Sequence, residues 1–168
     1  MYARQTFNSL ECCTEIIQLQ QLRYLLLQCQ LLRLLLNALY ALCRTGKDPR
    51  LVKAAFQFRL MALSGFEPLA EECAVCGTAQ PEGPVLDISG GFVVCGTCRG
   101  PERSFRLPLT EAGLAALRHV LYADPRRLYS FTLEPGALQA LDQAGEAFIA
   151  AQLERGFRTL DYYKALLG

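Results

Sequence analysis

Apolar positions dominate the first quarter of the chain, from about residue 9 to residue 43, and most of them are leucine. Within this run Gln30, Arg33 and Asn37, followed by Arg44, recur at helical spacing and form a polar stripe. Asn8 followed by Glu11 resembles a capping box, so a helix is expected to begin near Ser9. The run reads as a buried bundle helix, or as two helices with a break at residues 20–23. Residues 25–43 come closest to a membrane span. A charge such as Arg33 at mid-bilayer costs about 2.5–3.5 kcal/mol, so no membrane association is expected.

Further elements follow from local signals. Asp48 and Pro49 have the N-cap and first-turn chemistry of a second helix. Its apolar face carries Leu51, Ala55, Phe58 and Ala62, widened by Val52, Phe56 and Leu63, and Gly65 is a suitable stop. Residues 85–88 and 92–94 read as short strands around the turn Ser89-Gly90-Gly91. Residues 99–106 read as a loop. Thr110 is placed to cap a helix over residues 111–122, and Asp124-Pro125 a shorter helical segment. Glu134-Pro135 opens a last long helix running to about Gly156, with Leu138, Leu141, Gly145 and Phe148 facing inward. A final turn is expected over residues 160–167.

The chemistry concentrates in Cys73-x-x-Cys76-Gly77 and Cys95-x-x-Cys98. Paired Cys-x-x-Cys knuckles at this separation read as one structural zinc site with ligands Cys73, Cys76, Cys95 and Cys98. Four thiolates close the metal shell, whereas a catalytic zinc keeps a position open for water. Redox-active dithiols would require a βαβ setting that the pattern lacks. The other cysteines, Cys12, Cys13, Cys29 and Cys43, lie in the apolar helical run and argue against a secreted disulfide scaffold; a cytoplasmic location is expected. The fold class is therefore mainly α: a helical bundle forming one unit over residues 1–168, with a zinc-ribbon-like hairpin inserted at about residues 70–100.

Net charge is only +1, but it is unevenly spread. Residues 66–98 carry acids and no Lys or Arg, whereas residues 1–65 and 99–127 are basic. His119 is the single histidine, and no phosphate-binding glycine loop, nucleophile elbow or carboxylate cluster with metal spacing is present. Enzymatic activity is not expected.

One pattern is familiar. An apolar helix from Asp48 runs to Gly65-Phe66-Glu67-Pro68 just before Cys73-x-x-Cys76-Gly77; Gly90-Gly91-Phe92 precedes Cys95-x-x-Cys98, and residues 153–162 close the chain. This resembles the C-terminal part of the RecO family of bacterial recombination mediators, over roughly residues 8–168. The resemblance implies a non-enzymatic, nucleoid-associated role in DNA repair and recombination. It also implies binding to single- or double-stranded DNA, to a RecR-like protein and to the acidic tail of the single-strand-binding protein, in helping to load the RecA recombinase. Family members begin with an OB-fold barrel, whose series of short strands is not found here.

Two surfaces are candidates for these contacts. Arg99, Arg103, Arg106, Arg126 and Arg127, near Arg118, His119 and the aromatics Phe105, Tyr122 and Tyr129, suit phosphate contact with base stacking. The alternative is a solvated loop beside core aromatics. The family's basic-rimmed apolar pocket for the partner tail points to Arg50, Lys53 and Arg59, which are equally readable as ordinary helix-surface charge. A zinc-stabilised protein-interaction adapter without DNA affinity is the alternative function.

Overall fold

Asp48 and Pro49 start the helix on which the others are assembled. A computed structural model of the protein describes residues 9–100, 104–154 and 165, and of residues 9–19 the helical backbone alone. The order is α1 (Ser9–Arg44), α2 (Pro49–Leu63), β1 (Val85–Asp87), β2 (Phe92–Val94), β3 (Arg106–Pro108), α3 (Glu111–Tyr122) and α4 (Pro135–Gln152). The architecture is mainly helical with a small antiparallel sheet ordered β2-β1-β3.

Local chemistry sets most boundaries. Asp48 Oδ1 accepts from the Arg50 N–H at 2.8 Å and caps α2. At the other end Gly65 takes φ +90°, and the Phe66 N–H returns to Met61 O at 2.9 Å, closing the helix with a left-handed glycine. Thr110 Oγ1 accepts from the Gly113 N–H at 2.9 Å and starts α3 at the expected residue.

α2 is central and packs against α1, α3 and α4. Phe58 stacks on Phe148 of α4, with ring centroids 5.8 Å apart. Gly145 permits the close crossing: a Cβ there would lie 2.9 Å from Gln57 Oε1 and 3.4 Å from the Phe58 ring. Lys53 of α2 pairs with both Asp142 and Glu146 of α4, and all three side chains are largely buried. Leu86, Ile88 and Val93 of the hairpin region join Phe58, Leu117 and Phe148 in the main core, so sheet and helices share one interior.

Several expectations are corrected. α1 is one continuous helix with no break at residues 20–23; the Gln, Leu and Arg residues there are good helix formers, and no Gly or Pro interrupts them. Nor is α1 buried: Leu34, Ala38 and Ala41 face the core, while Leu22, Leu25, Leu32, Leu36 and Leu39 are exposed. By length and composition Gln20–Arg44 is apolar enough to cross a membrane. The segment after Asp124-Pro125 forms turns rather than a helix: Asp124 Oδ1 accepts from the Arg126 N–H at 2.8 Å, holding an Asx turn. Arg106–Pro108 form a third strand on the second edge of β1, so the loop expected over residues 99–106 gives way to strand at its last residue. α4 stops at Gln152, short of Gly156. The expected turn over residues 160–167 lies, save for residue 165, outside the described residues.

Candidate metal centre and adjoining clefts

The knuckles are shaped by their own backbone. The Gly77 N–H donates to Cys73 O at 2.8 Å, and Gly77 takes φ +70°, which turns the chain back and brings Cys76 over Cys73. In the second knuckle the Cys98 N–H donates to Cys95 O at 3.0 Å. β1 and β2 pair in the register Val85↔Val94, Leu86↔Val93 and Asp87↔Phe92, which delivers Cys95 directly after the strand. The Ala74 N–H donates to Val93 O at 2.9 Å and fastens the first knuckle to the same strand.

The sulfurs of Cys73, Cys76, Cys95 and Cys98 all lie within 4.8 Å of one another. Cys95 Sγ is 3.6 Å from both Cys73 Sγ and Cys76 Sγ. A tetrahedral ion with metal–sulfur bonds of about 2.3 Å has sulfur–sulfur edges of roughly 3.8 Å, so the donor set fits a metal ion. The Cys95 N–H points at Cys73 Sγ at 3.3 Å, a contact suited to a thiolate. Burial opposes ionisation of Cys73, yet the N–H groups of Cys76, Cys95 and Val75 bring its thiol down to about 6. At the other extreme the Cys95 and Cys76 sulfurs push Cys98 up to about 12. Adjacent thiols resist ionising together, and a bound divalent cation reverses that resistance.

Beside this centre, Asp87 is an acid buried in the sheet. Its carboxylate accepts from the Gly90 N–H at 2.9 Å, from Arg106 Nε at 3.0 Å and from the Ser104 hydroxyl. Burial works against its ionisation, but the Ser104, Gly90 and Arg106 donors outweigh that and hold it below the usual carboxylate range. Arg106 is therefore an anchor of β3, not a solvated loop charge. Its Nη1 is buried and unpartnered among the described residues. It lines a cleft with Val85, Arg99, Ser104, Phe105 and Pro108, in which Arg99 and Phe105 are exposed. Arg103 lies outside the described residues.

Arg126 and Arg127, exposed in the turn between Pro125 and Leu128, belong to a different neighbourhood. Pro125 and Leu128 line a pocket with Gln30, Arg33, Leu34, Asn37, Arg59 and Leu63. Arg59 also donates to the carbonyls of Val120, Leu121 and Ala123 at the end of α3. Of the three expected tail-binding residues, only Arg59 lines this pocket. Arg50 pairs with Asp48 at 3.0 Å, and Lys53 is engaged with α4.

Arg118, near the candidate arginines in sequence, is a structural brace. It donates to Ala70 O at 2.6 Å, Glu71 O at 2.8 Å and Ala79 O at 2.7 Å, tying the first knuckle to α3. Tyr129 packs against the core, and burial pushes its phenol up to about 12. His119 Nε2 lies 2.9 Å from Arg127 O, and the ring meets Phe131 edge-on. Sequence reasoning missed Arg33 as a pocket residue, although the polar stripe Gln30, Arg33, Asn37 that it belongs to is the very edge of α1 lining that pocket.

The chain is similar to known proteins. The family profile described as "Recombination protein O C terminal" matches residues 28–161. A protein named DNA repair protein RecO from Acetivibrio thermocellus is 26% identical over 137 residues, covering 82% of this chain and 54% of its own length. Proteins of the same name from a Nocardioides species and from Symbiobacterium thermophilum are 32% and 29% identical, covering 77% and 79% of this chain and 52% and 53% of their own lengths. The chain spans about half the length of these curated relatives.

Proposed function

The chain belongs to the RecO family, and from that premise we propose that it serves DNA repair and recombination by binding rather than by catalysis. In this reading it engages DNA and partner proteins and helps exchange the single-strand-binding protein for the recombinase. The ion at Cys73, Cys76, Cys95 and Cys98 is zinc: an all-sulfur tetrahedral set selects soft or borderline metals, and zinc is redox-inert. Its role is to hold the hairpin. A bacterial cytoplasmic, nucleoid-associated location follows from the same reading.

The observation that carries DNA binding is the cleft beside the metal hairpin. An exposed guanidinium (Arg99), a second held in place by Asp87 (Arg106) and an exposed ring (Phe105) border one opening. Arginine forks bind phosphate, and aromatic faces stack bases without regard to sequence. Arg103 belongs to the same segment, and Arg126 and Arg127 would offer a second phosphate contact.

The test is fluorescence anisotropy of a labelled single-stranded oligonucleotide. Arg99→Glu is expected to weaken binding and lower the salt slope by about 1, the signature of lost phosphate contact. Affinity unchanged in Arg99→Glu and in Phe105→Ala would move the site away from this cleft.

A second reading, an adapter without DNA affinity, is favoured by the pocket between α1 and α2. Its apolar floor (Leu34, Leu63, Leu128) and its Arg33 and Arg59 rim suit an acidic peptide ending in an aromatic residue, such as the single-strand-binding protein tail. Arg33→Glu is the clean variant, because Arg59 also supports α3. It is expected to abolish capture of a labelled acidic peptide ending in phenylalanine, and unchanged capture would reject the pocket. A RecR-like partner is proposed on the family resemblance alone.

A further inference from the structure

Helix α1 carries two apolar seams, and the described residues pack against only one of them. Leu34, Ala38 and Ala41 pack onto α2 and its neighbours. On the opposite side Leu22, Leu25, Cys29, Leu32, Leu36, Leu39 and Cys43 follow one another at alternating steps of three and four. That is the a/d repeat of a left-handed coiled coil, with Leu22, Cys29, Leu36 and Cys43 at a and Leu25, Leu32 and Leu39 at d. The leucines of this seam are 48–57% exposed, and both cysteines are exposed. Leu34 and Ala41 then fall at f, directly behind the seam, so the body of the protein lies on the far side of the helix and leaves the seam open.

We propose that this seam pairs with the same seam of a second copy of the chain, as a parallel two-stranded coiled coil along residues 22–43. Area supports the match. The exposed leucines of α1 offer roughly 700 Å² of apolar surface, above the ~300–600 Å² of the largest patch on a typical monomer and near the ~800 Å² per partner of a standard interface. Charge sets the direction. The flanking e positions are Leu26, Arg33 and Tyr40, and the g positions are Gln21, Gln28, Leu35 and Leu42. In a parallel pair Gln28 faces Arg33 of the other copy. A fully overlapped antiparallel pair would set Arg33 against its own copy, which is repulsive.

A bilayer is the poorer occupant. To cross it, α1 would have to abandon α2 and the bond from Asn37 Nδ2 to Pro125 O at 3.1 Å, and would carry Arg33 to its centre. This inference stands apart from the DNA reading, and neither depends on the other.

The test is light scattering on the full chain, zinc-loaded and reduced. The mass of two chains is expected at micromolar concentration. The variant Leu32→Glu/Leu39→Glu is expected to give the mass of one chain with unchanged helical circular dichroism and zinc content, since both side chains are exposed. A wild-type mass of one chain at every concentration overturns the proposal, as does a dimer that survives the double variant. A monomer that co-sediments with phosphatidylglycerol–phosphatidylcholine vesicles overturns it in favour of a lipid surface. Direction is read with Cys12→Ser/Cys13→Ser/Cys43→Ser, where Cys29 is the one thiol outside the metal centre. A short bismaleimide is expected to join two copies through Cys29, and a dimer that resists this cross-link refutes the parallel register.

Discussion

The metal hairpin and helix α1 are opposite solutions to the problem of having too small a core. The hairpin has little apolar interior of its own: Cys73, Val85, Val94 and Cys95 form its buried cluster, and sulfur geometry supplies what burial does not. α1 has the reverse imbalance, with more leucine than its partner helix can cover. The difference teaches where completeness resides. Four residues on two turns can close around one ion, whereas an apolar stripe extending over several turns needs a second surface.

The comparison can be broken first at the metal. Cys95→Ser removes a ligand and chelation removes the ion from a centre whose binding free energy, in this account, is folding free energy. The loss should be a large share of the ~5–15 kcal/mol stability of a domain. The expected readout is loss of the sheet and a steep fall in melting temperature, while α1 keeps its helical signal. An unchanged melting curve would refute the structural role. The next largest effect lies between the helices. Lys53→Met removes the cation that Asp142 and Glu146 share in a largely buried site and should cost about 3–5 kcal/mol in urea unfolding, with partial recovery when Asp142→Asn and Glu146→Gln are added.

Asp87→Asn is expected to cost about 1–3 kcal/mol, by weakening the bonds that hold β3 and the β1–β2 turn. The sign with pH is definite. The folded carboxylate titrates below its usual 3.8, so its contribution is complete above that value and disappears as acid protonates the folded form. Acid unfolding below about pH 4 should therefore be shallower in Asp87→Asn than in the parent. Thr110→Ala, which deletes the α3 cap, is the smallest change, at about 1 kcal/mol and without effect on metal content.

What the sequence made legible follows the same division. The clustering of Cys73, Cys76, Cys95 and Cys98 follows from their paired spacing, and the Asp48 and Thr110 caps and the Gly65 stop depend on neighbours a few residues away. The core face of α4 was also readable, because Leu138, Leu141, Gly145 and Phe148 keep one helical period. The exposure of α1 was not, since a leucine-rich helix looks the same whether or not a partner covers it. The structural partners of Arg106 and Arg118 were not legible for a related reason. Their partners, Asp87 and the carbonyls of Ala70, Glu71 and Ala79, are distant in sequence, and an arginine's charge does not reveal whether a backbone carbonyl or a phosphate receives it.

The most direct test of the functional account is single-stranded DNA binding by the zinc-loaded chain across a salt series, repeated after the metal is stripped. The account predicts an affinity whose logarithm falls linearly with the logarithm of salt concentration, with a slope of about −0.7 per phosphate contacted. It also predicts that binding is lost with the metal, because the cleft of Arg99, Phe105 and Arg106 is built on the hairpin. No binding at the lowest salt, or binding indifferent to metal removal, would contradict it.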